Sequence, residues 1–212
     1  MFKRLAAMTA GIMLVLTAGT SLAQTVSTPT PSNNGAGGIM FDVTATNAVT
    51  VTGLASQFSV GTRTVNIYTR PGTHVGFSNA SAGWSLVGTT SLTGTGAVQS
   101  IPVVLSEPIA AGQTKGFYIA QASSSGIKYR DGTAVGAVAA SDANIQILEG
   151  TGKPMLEFDP SSNFTPRVLV GSVTYSAAPA PVPTLSEWAM ILLGLILAGG
   201  AALYIQRRQL IA

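Results

Sequence analysis

Between residues 39 and 176 the apolar positions come in short runs that alternate with polar ones. Ile39, Phe41, Val43 and Ala45 share one parity, as do Val49 and Val51, and Val65 and Ile67. Further runs read SLVGTTSL, SIPVVL, GFYIAQA, GIKY, NIQIL and RVLVGSVTY. A period of two places alternate side chains on opposite faces of an extended chain, and β-branched or aromatic residues fit a pleated, half-buried surface. Turn residues punctuate the runs, and no helical periodicity interrupts them. The pattern predicts about eight or nine strands and an all-β domain, an antiparallel β-sandwich with a jelly roll as one version of it. The preceding residues 24–38, rich in Thr, Pro, Ser, Asn and Gly, read as a disordered lead-in.

Two longer apolar runs lie at the ends. Lys3 and Arg4 precede Leu5 to Leu16, and Ser21-Leu22-Ala23 then places small residues around a cut before Gln24. A charged start, a short apolar stretch and a small-x-small site predict a secretory signal peptide over residues 1–23. Trp188 to Ile205 is 18 residues without a charge, the short edge of what spans a bilayer. It has no polar face, which argues against a core helix. Trp188 and Tyr204 stand at its ends, where amphipathic rings favour the headgroup level, and Arg207 and Arg208 follow. The positive-inside rule puts those arginines in the cytoplasm and the body outside, the side to which a signal peptide exports it. The Ala/Pro-rich residues 177–183 predict a semi-extended stalk.

Composition changes this picture mainly by exclusion. Charged residues make up 9% of the chain, against about a quarter in ordinary soluble domains. The net charge of +3 invites a nucleic-acid reading, but four basic residues sit in the terminal segments. Seven basic residues then face eight acidic ones, so no basic binding face remains and no nucleic-acid partner is expected. The absence of cysteine excludes disulfides, a Cys-ligated zinc and a thiol nucleophile.

The terminal pattern is more specific than a plain anchor. Val182-Pro183-Thr184-Leu185-Ser186-Glu187-Trp188-Ala189, then an apolar helix and a basic pair at the C-terminus, resembles the IPTL-CTERM sorting signal, a variant of the PEP-CTERM group. It differs from the family pattern Ile-Pro-Thr-Leu-x-x-Trp-Gly by Val182 and Ala189. The resemblance covers residues 182–208, with Val182, Pro183, Thr184, Leu185 and Trp188 as the sorting motif and Arg207 and Arg208 as the basic stop. It implies a Gram-negative source, the inner membrane and an exosortase-type processing enzyme as partners, and release to the cell surface or matrix. The residues fit that use. Pro183 biases Val182 to an extended form that an enzyme can hold, and Glu187 suits the positive end of a helix.

The body offers little chemistry. The one histidine, His74, follows the turn-forming Pro71-Gly72 with no acid near it in sequence, and reads as a solvated loop residue. No G-x-S-x-G elbow occurs, and nothing in the sequence activates Ser123 to Ser125. Glu107, Glu149, Glu157 and Asp159 form no evident catalytic pair. Glu157, Asp159, Asn163, Asp142 and Asn144 are oxygen donors, but no calcium-loop spacing joins them, and they read as turn residues. No enzyme, metal or cofactor is expected. A structural or adhesive surface domain is the first expectation. The second is a carbohydrate-binding module for exopolysaccharide, with Trp84 and Tyr129 as ring platforms among Tyr68 and Tyr118.

Overall fold

The computed structural model describes residues 22–121, 125–177 and 187–210. The expected signal peptide lies outside them except for Leu22 and Ala23. So do most of the stalk and the motif residues Val182 to Leu185. The β-rich body and the C-terminal helix are separate compact units.

The body is antiparallel β structure throughout its named strands. In chain order these are β1 Ala23–Ser27, β2 Asn34–Ala36, β3 Gly38–Ala45, β4 Val49–Phe58, β5 Gly61–Pro71, β6 Ser85–Gly94 and β7 Val98–Ser100. They continue with β8 Glu107–Ile109, β9 Thr114–Gln121, β10 Ile127–Asp131, β11 Val138–Ser141, β12 Ile145–Lys153, β13 Phe164–Leu169 and β14 Gly171–Ala177. Hydrogen bonds link them along one path, β1-β14-β4-β10-β13-β12-β3-β9-β5-β6, with β2, β7, β8 and β11 paired to its side. Val51, Leu54, Val173 and Tyr175 near one end share a core with Val65, Ile67 and Leu92 near the other. The sheet therefore curls until its ends close over a common interior. The expected parity holds: Ile39, Phe41, Val43 and Ala45 all enter that core. Nine longer strands of the body match the predicted eight or nine, and the total rises to 14 through β1 in the lead-in and the four short side strands β2, β7, β8 and β11. Three or four residues are too few to show a period.

The lead-in is a correction. Residues 24–38 contain most of β1 and all of β2 and are not a disordered approach to the domain. All five residues of β1 pair with β14, and Val26 is buried. Thr28 donates its N–H and Oγ1–H to Gly171 O and accepts from Gly171 N. A polar strand needs no apolar face of its own when it adds backbone hydrogen bonds to an open edge, and composition does not register that.

One irregularity decides what the outer face carries. In β12, Ile145 and Ile147 point into the core opposite Ala45 and Val43, but the register shifts between Leu148 and Thr151. A bulge moves the following side chains to the opposite face. Thr151 then lies beside Met40 and Lys153 beside Gly38, both on the outer face. Gly150 makes the bulge possible: a Cβ there would sit 1.9 Å from the Met40 carbonyl oxygen.

The described residues of the other unit form one helix, α1 Glu187–Gln209. It begins with the expected apolar run and carries on past Ile205 through Arg207 and Arg208. Loss of apolar character does not end a helix whose residues are good helix formers.

Candidate functional site

The outer face of β3, β9 and β5 is built in rows. Register aligns Gly38, Ala120 and Asn66, then Met40, Tyr118 and Tyr68, then Asp42, Gly116 and Arg70. Residues 72–84, which join β5 to β6, and residues 154–163, which join β12 to β13, fold over these rows. Beneath them Met40, Tyr118, Ala120 and Phe158 form a small second core, with Tyr68 and Trp84 packed against it. Phe158 meets Tyr68 and Tyr118 edge-on at 5.1 Å. It does so from a backbone φ of 53°, which a bulky side chain rarely adopts.

Lys153 fastens the two loops. Its side chain is fully buried, and Nζ donates to Asp159 O (2.7 Å), Asn163 Oδ1 (2.7 Å), Ser162 O (3.2 Å) and Asn79 Oδ1 (3.2 Å). Three protons are spread over four oxygens from both loops. Burial pushes the ammonium pKa down, and the nearby Asp159 opposes that shift. Asp159 and Asn163, weighed as cation donors from sequence, thus serve this ammonium through a carbonyl and an amide oxygen. Glu157 is occupied as well, accepting from Asn66 Nδ2 and Tyr68 Oη, each at 2.6 Å. Among the described residues no group of three His, Cys, Asp or Glu side chains is placed to hold a metal.

His74 is also a correction. It is 1% exposed, not solvated. The acid it lacks in sequence comes from β3: Asp42 Oδ1 lies 2.9 Å from Nδ1, and Thr151 Oγ1 lies 3.2 Å from Nε2. A carboxylate only accepts, so Nδ1 carries the proton and Nε2 accepts from Thr151 in the neutral ring. Asp42 further accepts from His74 N (2.8 Å) and Thr73 Oγ1 (2.5 Å). The order hydroxyl–imidazole–carboxylate matches a hydrolase relay. All three side chains are buried, however, and Thr151 faces the interior of the layer. Glu149 is similarly engaged, accepting from Thr133 N, Ala134 N and Thr133 Oγ1.

The two ring platforms expected from sequence separate. Tyr129 is 1% exposed and belongs to the main core, where its ring lies 2.8 Å from where a Cβ on Gly152 would stand. Its alternation within β10 turns it inward, so it offers no surface. Trp84 is half-buried: Nε1 donates to Phe77 O (2.8 Å), and its ring tilts against Phe158 at 5.9 Å. Beside it lies Arg70, which sequence reasoning passed over. The Arg70 guanidinium carbon is 3.5 Å from the Phe77 ring centroid and 5.8 Å from that of Trp84. The Arg-Pro-Gly turn was the only local signal for this position.

Where the chain begins to pair, Gln24 joins a polar cluster. Tyr175 Oη lies 2.5 Å from both Gln24 Oε1 and Asp142 Oδ2, and Asn144 Nδ2 donates to Gln24 Oε1 and Tyr175 Oη. Burial pushes the Tyr175 hydroxyl up to about 12, and its bond to Asp142 adds to the shift. Burial alone would push Asp142 up, but hydrogen bonds from Tyr175 and from the amides of Ile145 and Asn144 outweigh it and hold the carboxyl low.

In the helix, Ala189–Gln209 has a mean hydropathy of 2.0 and is long and apolar enough to cross a membrane. Trp188 lies in its first turn, and Arg207 and Arg208 in its last, where cations complement the helix dipole. Residues 180–209 match the IPTL-CTERM motif. No curated protein matches the chain. The sorting motif and the apolar helix within it fit a membrane-anchored exported protein.

Proposed function

We propose that this chain is the precursor of a surface or extracellular-matrix protein of a Gram-negative bacterium. The signal peptide leads export and is cut after Ala23. That cut leaves Gln24–Ser27 available to pair with β14. The C-terminal helix holds the body outside the inner membrane, with Arg207 and Arg208 in the cytoplasm. An exosortase-type transpeptidase then recognises Val182, Pro183, Thr184, Leu185 and Trp188 and removes the tail. The body is a non-catalytic structural or adhesive domain, and its hydroxyl–imidazole–carboxylate relay, sealed from solvent, braces the fold.

The observation that carries this reading is the match at residues 180–209, with the motif, the apolar helix and the basic pair in that order. Mass spectrometry of the mature protein tests it. A C-terminus near Thr184 is expected, and an intact Ala212 overturns processing and leaves a plain anchor. Fractionation with an antibody to the body tests export, and a body confined to the cytoplasm overturns it.

A second reading, carbohydrate binding, is favoured by one observation: the half-buried Trp84 and the exposed Phe77 stand together beside Arg70 at the edge of the second core. Exposed aromatic faces next to polar groups suit sugar rings.

A further inference from the structure

Among the described arginines Arg70 alone is buried, and it has no hydrogen-bond partner. Arg63 donates to Gly126 O and Val60 O, and Arg167 pairs with Asp131. Arg70 is only 8% exposed, yet its Nε is buried without a partner, and no hydrogen bond or ion pair joins it to any described residue. Asp42 is across Gly116 from it, but both carboxylate oxygens of Asp42 are taken by Thr73 and His74. A buried cation without a hydrogen-bonded partner is costly, and the pull of the Asp42 charge and stacking on an aromatic face offset only part of the cost.

The guanidinium is a hydrogen-bond donor without an acceptor. Phe77 covers one side, and its ring is 43% exposed. Gly83, at φ +81°, lies where a Cβ would stand 3.8 Å from the Phe77 ring and 4.0 Å from Arg70 Nη2. No side chain from that residue fills the space beside the fork. Gly116 lets the Arg70 stem lie flat on β9, because a Cβ there would come 3.0 Å from Arg70 Cγ.

We propose that Arg70, Phe77 and Trp84 form a binding site for a carboxylate-bearing polysaccharide of the polyuronate type. This rests on the carbohydrate-binding reading and names its ligand class. The planar guanidinium fork takes a carboxylate through two parallel hydrogen bonds. The rings of Phe77 and Trp84 offer apolar faces to the C–H side of a sugar, which a bare phosphate or sulfate would leave unused. The near balance of basic and acidic residues in the body means that attraction arises at this site and not from a diffuse field.

The test uses the full chain in detergent micelles, with oligogalacturonate as the acidic probe, dextran as the neutral one and poly-glutamate as a non-sugar anion. Oligogalacturonate is expected to bind, with affinity falling by about tenfold or more in Arg70→Met, the loss of roughly one charge-assisted pair. Arg70→Lys, which keeps the charge but not the fork, is expected to fall in between. Thermal unfolding of both variants guards against a folding artefact. Equal binding by wild type and Arg70→Met overturns the proposal. So does poly-glutamate binding as tightly as oligogalacturonate. Binding of dextran alone, unchanged in Arg70→Met, overturns the acidic site but leaves the carbohydrate reading standing, and binding of no probe overturns both.

Discussion

On the inner face of β3, β9 and β5, Phe41, Phe117 and Ile67 are covered by other strands. On the outer face of the same strands, Met40, Tyr118 and Tyr68 are covered by two loops. The inner face is held mainly by apolar contact, with Phe41 and Phe117 stacked at 5.7 Å, and its polar bonds run from Thr69 Oγ1 and Lys115 Nζ to Glu107 Oε2. The outer face is held by rings together with buried polar anchors: Lys153 in its four-oxygen cage, His74 between Asp42 and Thr151, and Glu157 between Asn66 and Tyr68. Strands can cover a sheet by pairing with one another, because their backbone groups bond in a ladder. Irregular loops carry backbone carbonyls with no such partner, and a buried acceptor must be bonded. Lys153 answers that need for Asp159 and Ser162. The polar anchors are thus a consequence of using loops as a lid.

Substitutions on the two faces test how alike they are. Phe41→Ala empties a ring-sized volume from the inner core and is expected to cost about 3–5 kcal/mol in urea unfolding. Lys153→Met is expected to cost about 3 kcal/mol, because four oxygens lose their donor at once. A cost for Lys153→Met below about 0.5 kcal/mol, the size of an ordinary surface change, would make the outer loops a solvated fringe and end the analogy with a second core. A smaller effect is expected at the relay. Thr151→Val keeps the shape but removes the hydroxyl that His74 Nε2 accepts from, at about 1 kcal/mol. A neutral or stabilising Thr151→Val would show that the relay does not contribute.

A further effect is one of pH. Burial, with hydrogen bonds to Glu157 and Asp142, pushes Tyr68 and Tyr175 up to about 12 from an ordinary 10.0. A raised phenol favours the folded state while it is protonated. The stabilisation is therefore complete below pH 10 and lost as pH rises through about 12. Asp142, held low, contributes above its ordinary 3.8 and loses that contribution as pH falls further. Unfolding free energy measured against pH should decline at both ends, and Tyr175→Phe should reduce both declines. An unchanged profile in Tyr175→Phe would remove that hydroxyl from the account.

The limits of sequence reading follow the same division. The inner-face residues of β3 were readable because strict alternation has one meaning in a strand. Tyr129 and His74 were misplaced for opposite reasons. Tyr129 is an aromatic residue whose alternation points it inward, while His74 is a polar residue in a loop that the fold then buries. The acid beside His74 stands 32 positions away in sequence, a separation no local motif spans. Lys153 lies in Gly-Lys-Pro, which looks like an exposed turn, and only the bulge at Gly150 sends its side chain to the outer face.

The class of the body and the nature of its tail are legible in the residues alone. A period of two and a charge-free run of 18 residues ending in paired arginines are local patterns, and local patterns survive without coordinates. The pairing of residues 24–38 with the sheet, the burial of Lys153 and His74, and the place of Arg70 under Phe77 without a hydrogen-bond partner come from the folded arrangement. Each of those depends on register between distant strands, and register is settled by pairing across the whole sheet.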